Sequence, residues 1–280
     1  MRRLCNPVST FQFLFTSSVF LWINRKETKF FGKTWFLKQG DESMLNQAEV
    51  NKWLVDFVAR LRDTFGERLI FVGHHGSWAR GEAGPASDID TIVILDHIES
   101  NDLTIYRDVI DAMPDAKRLA SSFLGSISEL RAWPRTDMVQ LYYGCKPLHG
   151  TLDGLVDKPM DTDFIEDIRI KAAENLHLAR HYLLHPHDLS EVVHKLYNPF
   201  KCCFFALQSW MLLREGKFWE RKDDLLNSLS DADDREVIRI ARDWNELNQG
   251  REARPLYYIQ LLERWSRNML AKFAETEFFT

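Results

Sequence analysis

Two aspartates one residue apart, Asp88 and Asp90, follow a Gly76-Ser77 pair after an interval of ten residues. On an extended strand, positions i and i+2 project to the same side, so the two carboxylates meet on one face. At about 4 Å such a pair repels by roughly 4 kcal/mol for an effective dielectric of about 20. A shared proton or a divalent cation relieves that repulsion. The small residues around Gly76 and Ser77 form a turn whose backbone N–H groups can cradle phosphate. Carboxylate oxygens next to a phosphate seat suit Mg²⁺.

The flanking residues say how this pair is positioned. Leu69-Ile70-Phe71-Val72 precedes the turn and Thr91–Leu95 follows it. Both runs are short, rich in β-branched and aromatic residues and bounded by Gly or Asp, so two buried strands are expected. His74 and His75 stand at the first strand's end, where polar side chains are ordinarily solvated. Ahead of them, Val50, Trp53, Leu54, Phe57, Val58, Leu61 and Phe65 recur at helical spacing, and Gly66 supplies the stop. Beyond the second strand, the pattern predicts a helix over Asn101–Met113 and a third strand over Leu119–Leu124. A short helix near Ser128–Trp133 should end at Pro134, and a fourth strand is expected over Asp137–Tyr143.

The interval Gly76-Ser77-x10-Asp88-x-Asp90 resembles the signature of the DNA polymerase β nucleotidyltransferase superfamily. Within it, Ala79-Arg80-Gly81-Glu82-Ala83 is similar to the minimal nucleotidyltransferases. Gly84-Pro85-x-Ser87-Asp88-Ile89 is similar to aminoglycoside nucleotidyltransferases of the kanamycin type. The resemblance implies an α/β (α+β) nucleotidyltransferase domain with a small mixed sheet. It further implies ATP or another NTP as substrate, bound through Gly76, Ser77, Arg80 and Ser87, with one or two Mg²⁺ ions on Asp88 and Asp90. The superfamily places a third carboxylate on a strand beside the first pair, and Asp137 is the acid that falls there, as metal ligand or proton acceptor. Lys146-Pro147-Leu148-His149-Gly150 resembles the turn that closes this domain.

Composition bounds the remainder. The 280 residues allow two domains, and 45% hydrophobic with 28% charged residues is ordinary for a globular protein. A formal net charge of −5 speaks against a surface that coats nucleic acid, so no template is expected. Cys5, Cys145, Cys202 and Cys203 make no C-x-x-C pair, which fits a reduced, cytoplasmic setting away from any membrane. Residues 1–43 differ from the rest: the first forty hold seven Lys/Arg, one acid and nine Phe or Trp. Three readings are open for them. They are translation from a mis-assigned start ahead of Met44, a targeting or anchor segment, or a genuine extra segment.

Residues 44–155 are expected to form the nucleotidyltransferase domain, and 151–162, with Gly154 and Pro159, a linker. Residues 160–280 read as an all-α helical bundle, with helices over Phe164–Leu184, Leu189–Arg214 (interrupted by Pro199), Asp223–Leu229, Asp233–Leu247 and Pro255–Glu275. Lys195-Leu196-Tyr197 and Leu213-Arg214-Glu215-Gly216-Lys217 are similar to HEPN-like helical substrate-side domains. Lys195 and Lys201 are the cations this half offers to nucleotide phosphates. His177, His181 and His185 share one helix face at zinc-binding spacing. Arg180-x4-His185 meets the spacing of HEPN ribonucleases, although His187 stands where active members often carry tyrosine; cations that complement a helix C-terminus are the simpler reading.

The expected reaction is transfer of a nucleoside monophosphate, AMP from ATP, to a hydroxyl of a small molecule such as an aminoglycoside, with release of pyrophosphate. Two alternatives stay open: AMP transfer to a partner protein of toxin–antitoxin type, and a non-catalytic nucleotide-binding regulator. A homodimer is compatible with either.

Overall fold

A computed structural model describes residues 45–85, 87–185 and 189–274. The readings of residues 1–43 lie outside the described residues. Helix α1 (Gln47–Phe65) opens on a capping box. The Asn46 side chain accepts from the N–H groups of Ala48 and Glu49, and the Glu49 carboxylate accepts from the Asn46 N–H at 2.8 Å. Its apolar stripe, Val50, Trp53, Leu54, Phe57, Leu61 and Phe65, is buried. Gly66, at φ +55, ends it and turns the chain into β1 (Leu69–His75).

The chain continues through α2 (Gly76–Arg80), β2 (Ile89–Leu95), α3 (Asp102–Asp111), α4 (Ala116–Leu119) and β3 (Ala120–Ser126). It then passes α5 (Ile127–Ala132), α6 (Arg135–Gly144) and β4 (Lys146–His149). The sheet order is β3-β2-β1-β4, with β1 antiparallel to both β2 and β4, and β2 parallel to β3. A parallel pair needs a crossover, and α3 with α4 supplies it.

The sheet separates two apolar layers. Leu69, Val72, Ile89, Val93 and Leu95 pack on α1 and α3. Phe71, Ile92 and Ile94 pack against Leu130 and Met138, from α5 and α6. The alternation along β2 therefore turns Asp90, with Ile92 and Ile94, toward the α5/α6 face.

Two expectations are corrected here. Residues 137–143 form part of helix α6, not a strand. A run such as Met138-Val139-Gln140-Leu141 is apolar enough for either state, and period alone does not separate a buried strand from a buried helix. Pro134 at the N-cap and Asp137 in the first turn are helix-start signals that settle it. The stretch from Lys146 to His149 is the edge strand β4, and Gly150 makes the following turn at φ +68.

The rest of the described chain is helical: α7 (Asp161–Leu184), α8 (Leu189–His194), α9 (Tyr197–Glu215), α10 (Lys222–Ser228), α11 (Ala232–Arg242), α12 (Asn248–Ala253) and α13 (Pro255–Ala274). The expected helix over 189–214 is two, parted at Lys195 and Leu196. Pro199 sits at the third position of α9, where a missing N–H leaves no intrahelical bond unmade. Between α7 and α9, Asp167 binds the Lys171 ammonium and takes the Ser209 hydroxyl at 2.6 Å. Sheet part and helical part pack directly: Val139 of α6 is buried with Phe164 and Leu212, and the Tyr143 ring stacks on Phe218 at 5.6 Å. No helix among the described residues is long and apolar enough to cross a membrane.

Phe57 is fully buried, stacks on Trp53 at 5.1 Å and meets the edge of Tyr106. Phe57→Ala is expected to lower unfolding free energy by about 3–5 kcal/mol, measured by urea denaturation.

Candidate active site

The strand pairing brings the chemistry together. His75, the last residue of β1, lies opposite Asp90 of β2, and the chain turns straight from His75 into α2. Gly76, at φ +80, is the first residue of that helix, and a Cβ there would overlap Asp90 Oδ2. Asp90 is 5% exposed, so its carboxylate is held against the backbone at the helix start. Asp88 is partly exposed and immediately precedes β2. The two predicted acids and the Gly-Ser turn thus occupy one end of the sheet.

The loop between them is braced internally. Gly81 closes α2 in the left-handed conformation at φ +70, and its N–H binds the carbonyls of Ser77 and Trp78. The Ser87 hydroxyl accepts from the Gly84 N–H at 2.9 Å, the Ser87 N–H returns to the Gly84 carbonyl, and the Trp78 indole reaches the Ser87 carbonyl at 3.4 Å. Ser87 therefore shapes the loop in this structure.

Basic side chains crowd the same end. Arg80 Nε lies 3.1 Å from Glu82 Oε2, and Lys222 Nζ lies 2.8 Å from that oxygen. The Lys146 ammonium binds the Ala79 carbonyl and approaches Glu220 at 3.7 Å. The Lys201 ammonium on α9 lies 5.9 Å from the centre of the Tyr197 ring and 6.0 Å from that of Phe205. Its charge reaches both His75 and Lys222. Burial, reinforced by Arg80 and Lys201, pushes His75 down to about 4. Burial, with the charges of His75 and Lys146, does the same to His74. For Glu82, burial alone would raise the carboxyl, but the charge and hydrogen bonds of Lys222 outweigh it and hold it below its ordinary value. Burial lowers Lys222 in turn, partly offset by Glu82; the geometry is that of an ionised pair.

The third acid stands elsewhere than expected. The strand beside Asp90 is β3, where Ser121 pairs with it in register, and β3 carries no carboxylate. Asp137 is buried in the first turn of α6 and accepts from the Trp133 indole at 2.9 Å. Its charge reaches Lys171, whose ammonium burial pushes down to about 8. Among the described residues no group of three His, Cys, Asp or Glu side chains is arranged to hold a metal ion. The third carboxylate thus belongs to the first turn of a helix and not to a strand. Two carboxylates completed by phosphate oxygens remain a sufficient donor set for Mg²⁺, and the missing Cβ at Gly76 is what lets the Asp90 carboxylate lie beside the Gly-Ser turn.

Lys195 is exposed in the turn between α8 and α9, and it is Lys201, in the second turn of α9, whose charge reaches His75. Arg180 is paired with Glu263 of α13 at 3.0 Å, and the His181 and His185 rings lie 5.2 Å apart at the end of α7. Glu82 and Lys222 were not singled out in sequence. Their partnership spans 140 positions, and each alone reads as a solvated surface charge.

Residues 53–141 match the model of the nucleotidyltransferase domain family. No curated protein matches the chain. Among solved structures it is similar to spectinomycin adenyltransferase AAD(9) from Enterococcus faecialis with ATP and spectinomycin: 16% identical, over 76% of this chain and 99% of that one, with a TM-score of 0.44.

Gly76→Ala is expected to abolish any activity of the site and to destabilise the fold by about 1–3 kcal/mol, from the positive φ and the displaced Asp90. Activity assay and thermal melt read the two effects separately. The histidines add a pH dependence. The unfolded chain takes up a proton near 6.5 that folded His74 refuses until about 4, so stability falls as pH drops through that window. His74 alone should contribute about 3 kcal/mol of this loss by pH 4. Urea melts at pH 7 and pH 4.5 should show a smaller difference for His74→Gln than for the native chain.

Proposed function

We propose that this chain, through the nucleotidyltransferase domain matched over residues 53–141, moves AMP from ATP onto a hydroxyl of a small molecule and releases pyrophosphate. The observation that carries the reading is the seating of Asp90 against Gly76 at the start of α2, with Arg80, Lys201 and Lys222 gathered beside it. In this reading residues 44–155 are the nucleotide side and 160–280 the helical, substrate-side domain.

The triphosphate would lie on the N–H groups and hydroxyl at Gly76 and Ser77. Arg80, Lys201 and Lys222 would neutralise the charge that builds on the departing pyrophosphate, the largest single contribution open to a site without covalent catalysis. Asp88 and Asp90 would hold Mg²⁺. When bound, that ion would polarise the phosphate and offset its charge. Asp137, from the α6 side, would accept the proton of the attacking hydroxyl. An acceptor that fits would enter between the sheet part and the helical part, and a cationic polyol of the aminoglycoside kind agrees with the overall net charge of −5. A protein acceptor is the second reading, favoured by the likeness of Ala79–Ala83 to minimal nucleotidyltransferases.

The test is label transfer from α-labelled ATP with Mg²⁺ in a clarified lysate, with products divided into small-molecule, protein and RNA fractions. Label in small molecules is the expected outcome, and Asp90→Asn should reduce it by at least about 10³-fold with an unchanged melting profile. A single labelled protein band would favour the partner-protein reading. ATP binding without transfer would indicate a regulator, and full activity in Asp90→Asn would remove the mechanism.

A further inference from the structure

The carboxylate that follows α2 draws its partners from both parts of the molecule. Glu82 Oε2 accepts from Arg80 Nε at 3.1 Å and from Lys222 Nζ at 2.8 Å, and Oε1 accepts from the Lys222 backbone N–H at 2.6 Å. Two cations that repel each other thus share one oxygen. Both also lie over the Phe204 ring, the guanidinium at 5.9 Å and the ammonium at 5.1 Å from its centre. The three charged side chains are at most 13% exposed, so little water screens them.

A carboxylate in this place weakens a phosphate site in one respect and improves it in another. It competes with phosphate for the same cations, which lowers attraction in the ground state. It also fixes those cations at one spacing before any nucleotide arrives, and interactions preset for the transition state raise turnover without requiring tighter binding. A carboxylate that served only to fasten α10 to the sheet part would not need to gather Arg80 as well.

We propose that Glu82 is a positioning residue for the transfer reaction, which holds Arg80 and Lys222 as a preassembled pair for the leaving pyrophosphate and ties the α2 loop to the start of α10. The proposal rests on the nucleotidyltransferase reading above. It assigns the pair's spacing, not merely its charge, to catalysis.

Glu82→Gln separates spacing from charge. It removes an anion beside the phosphates, so ATP affinity, measured calorimetrically with Mg²⁺, should stay unchanged or rise. The rate of label transfer at saturating ATP should nevertheless fall by roughly 10- to 100-fold. Glu82→Asp, one methylene shorter, cannot reach Arg80 and the Lys222 backbone together and should show the same split at smaller size. It also serves if the Gln variant does not fold. Melting curves confirm that each variant is folded at the assay temperature. A native transfer rate in the folded Gln variant, or in the Asp variant where Gln does not fold, would overturn the role. So would rate and ATP affinity that fall together in proportion to lost stability. Wild-type chain that neither binds ATP nor transfers label would overturn the underlying reading instead.

Discussion

The antiparallel register of β1 and β2 governs everything at the reactive end of the sheet. Pairing His75 with Asp90 sets a buried carboxylate beside the first residue of α2, where only a residue without a Cβ fits. A slip of one residue would turn Asp90 to the α1/α3 face and bring Ile89 or Thr91 to the rim. That slip is opposed along the whole strand, because every side chain of β2 is buried and each would exchange layers. The packing of Phe57, Leu61 and Val93 behind the sheet, and of Phe71 and Met138 in front, is in this sense part of the site.

The second constraint is charge. At the same end of the sheet as Asp88 and Asp90, Arg80 and Lys222 share the carboxylate of Glu82, and the charge of Lys201 reaches His75 and Lys222. Positive side chains reach this end from the sheet part and from α9 and α10, so the apolar contact of Val139, Phe164 and Leu212 also fixes where the cations stand. His74 and His75, held neutral by burial and by neighbouring charge, add none of their own.

Much of this was legible in the residues. The x10 interval, the two apolar runs and the small-residue turn carried the reactive end, because local pattern and backbone geometry agree there. Most helices of the second half followed from apolar periodicity, but the run over 189–214 divides in two, the one expected from Asp233 stops at Arg242, and α12 had no sequence signal of its own. What was not legible had separate physical reasons. Residues 137–143 are apolar on nearly every side, and such a run leaves strand and helix undecided. Asp137 was consequently given to a strand, while the strand in that place, β3, presents Ser121. Lys222 and Glu82 lie 140 positions apart, and no local pattern marks either. Of the two lysines offered to phosphates, Lys195 is exposed in the turn that parts α8 from α9, while the charge of Lys201 reaches His75, a difference set by the helix break and carried by no local pattern.

The edge strand β4 bears on how copies of this protein coexist at high concentration. An exposed strand edge is a template on which another chain can add, the first step toward swapped dimers or fibrils. Here the strand at one margin of the sheet is four residues long, begins with Lys146 and contains Pro147, which brings no N–H to any new ladder. Gly150 then turns the chain away against the Ile70 carbonyl. A longer, proline-free β4 would extend the sheet and leave a sticky margin close to the reactive end; the short one discourages self-association at that margin.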